Sequence, residues 1–189
     1  MKICFTGHRP PKFGGYVDNN PPYDNKLNYI VWSILHEEIV NQIEQIRESR
    51  ETITFITGMA LGVDQWAASA ARLARKDEES IQIISGHGVD VKLIAAIPFL
   101  GQEKNWPEQS QEQYRHLLNH CDDIYFVDEE GYAPWKLLNR NKWMVDNSDL
   151  VIAVWNRNEK GGTAHCVRYA KKQGKKVINL WEDIQKRLD

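Results

Sequence analysis

Two glycine-containing turns, each between a strand-like and a helix-like segment, have the residue types that bind phosphate. The amides at a helix N-terminus lack partners within the helix and lie at the positive end of its dipole, so such turns bind anions. Glycine also lets the backbone approach a ligand closely. The spacing therefore predicts one phosphate site, most simply for a nucleotide. The turn residues assigned to this ligand are Gly58, Met59, Ala60, Gly62, Asp64, Gly161, Gly162 and Thr163.

The residue types in these turns leave alternatives open. Gly58 and Gly62 can serve turn geometry as well as contact with a ligand. Asp64 can accept a ribose hydroxyl or stabilise the helix start, since a carboxylate would repel phosphate. Thr163 can donate its hydroxyl to phosphate or cap the following helix.

Basic residues at the ends of neighbouring segments are candidate phosphate clamps. Arg140 stands on a helix-like segment before the strand that leads to the second turn. Its guanidinium can bind a phosphate through two hydrogen bonds or form a surface ion pair. Arg9 follows the first strand-like segment with Gly7 and His8. Arg9 can bind phosphate or hold the loop Gly7–Asp24, and His8 can act as an acid–base group or form a structural hydrogen bond.

Aromatic and acidic residues add weaker candidates. Tyr132, in a loop containing glycine and proline, can stack on a base, whereas Trp135 and Trp143 on a helix are predicted to be core. Glu129 follows a strand where a catalytic acid could stand, although adjacent loop carboxylates are usually solvated. Candidate catalytic residues are therefore Arg140, Glu129 and Asp64.

Alternating strand-like and helix-like segments must position these residues. Nearly uninterrupted apolar strands predict a parallel sheet covered on both faces, hence a single α/β Rossmann-like domain over residues 1–189 with a mostly parallel, doubly wound sheet. The stretch Asp77–Asp90 is predicted as a surface connection. The predicted strands are Lys2–Thr6, Thr52–Thr57, Val91–Ile97, Asp123–Val127, Leu150–Trp155 and Lys176–Leu180. The predicted helices are Asn25–Ser49, Val63–Lys76, Pro107–His120, Pro134–Asn147 and Thr163–Gln173.

The overall composition is that of an ordinary folded protein. The 189 residues carry a net charge of -2, which argues against nucleic acid as a partner. Three cysteines without metal-binding spacing indicate neither a metal site nor disulfides. The lack of an N-terminal leader or long apolar run predicts a cytoplasmic protein without a membrane partner. No cofactor is required beyond the bound nucleotide-type ligand, and the long predicted first helix offers a face for a homodimer.

Several motifs together resemble the YpsA-like family of the SMF/DprA–LOG (SLOG) superfamily over almost the whole chain. They are Thr6-Gly7-His8-Arg9-Pro10, the turn Thr57–Asp64, Ile97-Pro98-Phe99 with Gln102 and Trp106, the run Arg140–Asp146, and Gly161-Gly162-Thr163. The resemblance implies a Rossmann-like fold that binds nucleotides or nucleotide-derived ligands. It leaves the reaction open, because the superfamily includes enzymes, DNA-binding proteins and ligand sensors.

Two branches of the superfamily define the alternatives. LOG proteins are phosphoribohydrolases, and Arg140 and Met144 fit their pattern, but the glutamate expected after Thr163 is absent. The DprA branch, which binds single-stranded DNA, shares the turn Gly58–Asp64. The leading hypothesis is therefore a sensor or sequestering protein for an adenine nucleotide, NAD or an ADP-ribose-type ligand. Nucleotide N-glycosidase activity and single-stranded nucleic-acid binding are the alternatives.

Overall fold

The computed structural model describes residues 1–9, 26–49, 51–85 and 88–188, with the side chain of residue 85 excepted. Residues 10–24 of the predicted loop and the first residue of the predicted helix Asn25–Ser49 lie outside this description. The strands are β1 (Lys2–Gly7), β2 (Ile53–Thr57), β3 (Val91–Ile97), β4 (Asp123–Phe126), β5 (Leu150–Val154) and β6 (Lys176–Asn179). The helices are α1 (Lys26–Ile46), α2 (Val63–Ser85), α3 (Glu108–Leu118), α4 (Pro134–Asp146), α5 (Gly162–Lys172) and α6 (Trp181–Leu188).

The described strands form one six-stranded sheet in the order β4-β3-β2-β1-β5-β6, and every pairing is parallel. The prediction of a Rossmann-like α/β fold is confirmed. The chain runs outward from β1 through β4 and then returns to place β5 on the other side of β1. The order therefore reverses between β1 and β5, and open parallel sheets form their ligand crevices at such a switch point.

Helices cover both faces of the sheet because side chains along a strand alternate between the faces. Ile3 and Phe5 belong to the core shared with α1, α2, α3 and α6, whereas Cys4 belongs to the smaller core under α4 and α5. The alanines of α2, such as Ala67 and Ala71, are fully buried, which lets this helix lie close to the sheet. Helices therefore pack on both faces of the sheet, and this packed core positions the loops at the strand ends.

Two predictions about elements and core are wrong, and one helix was missed. The stretch predicted as a connection from Asp77 is helical through Ser85, because no glycine or proline interrupts it and buried Glu78 accepts hydrogen bonds from Arg47 and from the Val89 amide. The helix α6 was not predicted, since its eight residues carry mostly polar side chains. Trp135, predicted as core, is 54% exposed because it lies in the first turn of α4 facing away from the sheet's core clusters.

Candidate anion-binding site

A cavity of about 570 Å³ opens at the switch point, beyond the ends of β1 and β5. The predicted turns contribute to this one cavity from both sides, through Ala60, Leu61 and Asp64 on one side and Gly161, Gly162 and Thr163 on the other. The end of β1 lies between them. The fold therefore brings the two glycine turns to one cavity, as predicted from their positions in the sequence. The other lining residues are Thr6, Gly7, His8, Arg9, Tyr132, Pro134, Leu137, Leu138, Arg140, Asn141, Asn158 and Lys160.

The end of β1 packs directly against the start of α2. A Cβ atom at Gly7 would lie 2.5 Å from the Val63 side chain, so this position must be glycine for the two segments to meet. The Val63 amide also donates to the His8 carbonyl at 3.4 Å. These contacts fix where the residues after β1 enter the cavity.

The N-terminus of α5 is open toward the cavity. Gly161 precedes the helix with φ 98°, a conformation that favours glycine, and among the described residues no side chain caps the helix at this end. A Cβ atom at Gly161 would meet no atom within 4 Å. The Thr163 hydroxyl donates to the Gly7 carbonyl at 2.9 Å, which ties α5 to β1. The unpaired amides and the positive end of the dipole are thus available to an anion.

A buried ion pair joins the first turn to α4. Arg140 Nη1 lies 3.2 Å from Asp64 Oδ2, and both side chains are less than a tenth exposed. Arg140 Nε donates to Asn141 Oδ1, and the Ala60 amide donates to Asp64 Oδ2. Burial raises the pKa of the Asp64 carboxyl, and Arg140 offsets this only in part. Asp64 therefore orients Arg140, while its own negative charge opposes an anion.

The remaining glycine-turn residues lie behind this pair. The Arg140 guanidinium occupies the space beside the Gly58 α-carbon, so Gly58 accommodates the arginine and does not line the cavity. Met59 is fully buried at φ 55°, and Gly62 stands at φ 94° in the tight turn before α2. Neither Met59 nor Gly62 is among the lining residues.

The residues after β1 and the loop before α4 form the other walls. His8 Nε2 lies 2.9 Å from Asn156 Oδ1, which links the ends of β1 and β5. Arg9 is exposed at the cavity. Tyr132 is 71% exposed and packs edge to face on Phe99, with ring centroids 5.9 Å apart. Tyr132 thus presents a ring at the cavity rim.

The charge of the cavity favours an anion. Its lining includes three cationic side chains, those of Arg9, Arg140 and Lys160, against one carboxylate, Asp64. Lys160 and Asn141 were missed in the sequence. Asn141 donates to the Gly162 carbonyl at 3.4 Å and so connects α4 to α5. The position of Asn141 next to Arg140 in the sequence could have identified it as a site residue. Lys160 lies in a loop that was interpreted only as an interruption of the glycine motif.

Glu129, the other candidate acid, lies outside this cavity. It lines a second cavity with Trp135 and Lys136. Its backbone carbonyl, like those of Glu130 and Gly131, accepts a hydrogen bond from Lys136 Nζ, at 2.9, 3.1 and 3.0 Å. Lys136 therefore fixes the loop that carries Tyr132.

Replacing Lys136 with methionine is expected to lower the free energy of unfolding by about 2 kcal/mol, because the hydrogen bonds from this buried, charged donor to three loop carbonyls are lost. Methionine keeps the length and apolar stem of the side chain. Urea unfolding followed by circular dichroism measures the change. Lys142→Met, at an exposed position of the same helix, is the matched control. An equal effect of both variants would contradict this role of Lys136.

Within the described part of the chain, no helix is both long and apolar enough to cross a bilayer. No group of three or more His, Cys, Asp or Glu side chains suited to a metal ion is found there either. The three cysteines are free thiols, and burial raises the pKa of Cys166 to about 11. These thiols are therefore poor nucleophiles.

The topology defines a Rossmann-like α/β protein with a cavity at the switch point, lined by Arg9, Arg140 and Lys160. A model of the YspA SLOG family (YpsA) matches residues 3–181, and the chain belongs to this family, as predicted. The chain is 31% identical over 168 residues to the SPbeta prophage-derived protein YoqJ of Bacillus subtilis, covering 82% of this chain and 92% of YoqJ. It is 27% identical over 189 residues to a UPF0398 protein of Bacillus cereus, covering 97% and 92% of the two chains.

Two solved structures of the DNA processing protein DprA share the fold. The Streptococcus pneumoniae protein matches 93% of this chain with a TM-score of 0.53 and 16% identity. The Helicobacter pylori protein, which has a unique single-stranded DNA binding mode, matches 94% of this chain with a TM-score of 0.55 and 18% identity. The matches span 48% and 63% of those two DprA chains. The expectation that nucleic acid is an improbable partner is wrong in the light of these neighbours. Net charge was a poor guide, because it does not report where charges lie, and Arg9, Arg140 and Lys160 line one cavity.

Proposed function

We propose that the switch-point cavity binds the phosphate group of a nucleotide. The observation that carries the proposal is the uncapped N-terminus of α5, which lines the same cavity as Arg9, Arg140 and Lys160. Unpaired amides and guanidinium groups both donate to phosphate oxygens. A cavity of about 570 Å³ is within the usual range for a small-molecule site.

The base would stack on Tyr132, whose exposed ring lies at the rim. An adenine nucleotide, NAD or an ADP-ribose-type ligand fits this division into an anion site and an aromatic rim. Binding without fast chemistry is favoured, because Asp64 is the one carboxylate among the lining residues that the structure describes, and it is engaged by Arg140. The protein would then act as a nucleotide sensor or sequestering protein.

Single-stranded nucleic acid is the second candidate, and the similarity to DprA favours it. A phosphodiester presents the same anionic oxygens to α5 and Arg9 as a free nucleotide does. The two sources differ in their response to salt and length. Affinity for a single strand falls steeply with added salt and rises with the number of nucleotides bound.

Calorimetric titration of the wild-type protein with AMP, adenosine and a short single strand of DNA tests the proposal. We expect AMP to bind and adenosine to bind at least tenfold more weakly, because only AMP carries the anion. Chromatography of the AMP mixture for released adenine tests for N-glycosidic cleavage. Equal binding of AMP and adenosine, or binding of neither, would overturn the proposal. A strand that binds while AMP does not would favour the second candidate.

Lys160→Ala is expected to weaken AMP binding about threefold, because an exposed charge contributes roughly 0.2–1 kcal/mol. The matched control is Lys172→Ala, which removes an exposed lysine from the opposite end of α5. Titration of both variants under the same salt conditions makes the comparison. If the two variants lose affinity equally, Lys160 acts only through net charge.

A further inference from the structure

The loop between β5 and α5 lines the switch-point cavity with the side chains of Asn158 and Lys160. Lys160 contributes a positive charge, whereas Asn158 contributes a neutral amide group. An amide side chain has an acceptor oxygen on one side and two N–H donors on the other. Which of these is left for a ligand depends on the contacts that the amide already makes.

The oxygen of the Asn158 side chain is engaged by the loop itself. Asn158 Oδ1 accepts a hydrogen bond from the Lys160 backbone amide at 3.0 Å. Turning the side-chain amide over would place its NH₂ group against that N–H donor, so this contact fixes the orientation. Within the described part of the chain, Asn158 Nδ2 has no hydrogen-bond partner. The free end of this side chain therefore consists of N–H donors.

The loop that carries Asn158 is held by several hydrogen bonds of its own. The Asn158 backbone amide donates to Asn156 Oδ1 at 3.1 Å, and the Asn158 carbonyl accepts from Trp155 Nε1 at 2.7 Å. The Glu159 carbonyl accepts from Arg168 Nη1 at 2.6 Å, which ties the loop to α5. A donor that is already held in position loses less conformational entropy when a ligand binds.

Asn156 joins this loop to the end of β1. Its Oδ1 lies 2.9 Å from His8 Nε2, and its backbone nitrogen lies 3.3 Å from the same ring nitrogen. Asn156 is not among the described residues that line the cavity, whereas Asn158 and His8 are. Asn156 can therefore influence a ligand only through the residues that it holds.

We propose that Asn158 Nδ2 donates a hydrogen bond to a phosphate oxygen of the bound nucleotide, and that Asn156 is the positioning residue that holds Asn158. Phosphate oxygens accept hydrogen bonds, so a side chain with only donors left free suits them. The neighbouring Lys160 supplies charge, and Asn158 adds a hydrogen bond of fixed direction. This inference rests on the proposed function and adds a ligand contact to the same site.

Calorimetric titration of the wild-type protein and three variants with AMP tests the inference. Asn158→Asp keeps the oxygen that accepts from the Lys160 amide but replaces the donor with a charged oxygen, and we expect it to bind AMP at least tenfold more weakly. Asn156→Asp adds the same charge to the same loop and keeps the acceptor for the Asn158 amide, so a loss of about threefold is expected. Asn156→Ala removes that acceptor without adding charge and is expected to bind about tenfold more weakly.

Repeating the titrations at high salt separates contact from charge. Salt screens an exposed carboxylate but does not restore a lost hydrogen bond. Relative to the wild-type protein at the same salt concentration, the loss in Asn156→Asp should therefore shrink. The losses in Asn158→Asp and Asn156→Ala should persist.

The outcomes distinguish this inference from the proposed function. If the wild-type protein does not bind AMP, both fail. If it binds AMP and the two aspartate variants lose affinity equally, Asn158 makes no contact with the ligand, while the proposed function stands. Wild-type affinity in Asn156→Ala would overturn the positioning role of Asn156.

A second substitution covers the case in which Asn158→Asp folds poorly by circular dichroism. The hydroxyl of Asn158→Ser can still accept from the Lys160 amide, but the side-chain amide donor is gone. We expect this variant to bind AMP at least threefold more weakly, because one hydrogen bond to the phosphate is lost. Wild-type affinity in Asn158→Ser would overturn the proposed contact.

Discussion

Gly58→Ala is expected to lower the free energy of unfolding by about 3 kcal/mol, although it adds a single methyl group. The new Cβ atom would lie 1.4 Å from Arg140 Nη1, 2.2 Å from Arg140 Cζ and 2.7 Å from Asp64 Oδ2. The guanidinium must therefore leave its position and abandon the carboxylate. Breaking a buried ion pair is costly because it leaves a charge without its partner in a region of low polarity. Urea unfolding followed by circular dichroism measures the effect.

Gly162→Ala is the matched control for this substitution. The nearest atom to a Cβ at Gly162 is Asn141 Nδ2 at 3.8 Å, an ordinary contact, so we expect a change below about 1 kcal/mol. Gly58→Ala should also cost much less in an Arg140→Ala background, where the clashing group is gone. A double-mutant cycle measures this coupling. Strictly additive effects would show that Gly58 is needed for another reason.

Much of the scaffold was predictable because parallel strands buried on both faces have a nearly continuous apolar pattern. The strand Val91–Ile97 was predicted with both its ends, and the other strands differ by one residue at an end. The convergence of the two turns followed from the same pattern, since the carboxyl ends of parallel strands lie at one edge. What the pattern could not give was the order of the strands, which sets the crevice between β1 and β5.

The detailed roles of the site residues depended on contacts between distant segments. Gly58 matched a phosphate-binding turn, yet the space beside it is filled by Arg140, which is 82 positions away in the chain. Likewise, nothing near Lys136 in the sequence indicated that three successive carbonyls would surround its ammonium group. Such contacts are set by tertiary packing, and local residue patterns carry no signal for them.

Asp64→Asn is expected to bind sulfate about tenfold more tightly than the wild-type protein at pH 7, because it removes a negative charge close to the anion. The amide keeps the size of the side chain and can still accept from the Ala60 amide. It also leaves Arg140 Nη1 without its carboxylate and so available to the ligand. Calorimetric titration with sulfate measures the change. Asp146→Asn, at an exposed position at the end of α4, is the matched control.

The pH dependence of sulfate binding by the wild-type protein also tests whether the negative charge of Asp64 weakens binding, and it does not require the variant to fold. Burial raises the pKa of Asp64, so this carboxyl takes up its proton at a higher pH than an exposed aspartate would. Sulfate keeps its charge over this range, and the wild-type affinity should therefore rise as the pH is lowered through the pKa of Asp64. The variant should lack this rise. If Asp64→Asn instead binds sulfate more weakly, the ion pair that orients Arg140 contributes more to sulfate affinity than the negative charge of Asp64 subtracts.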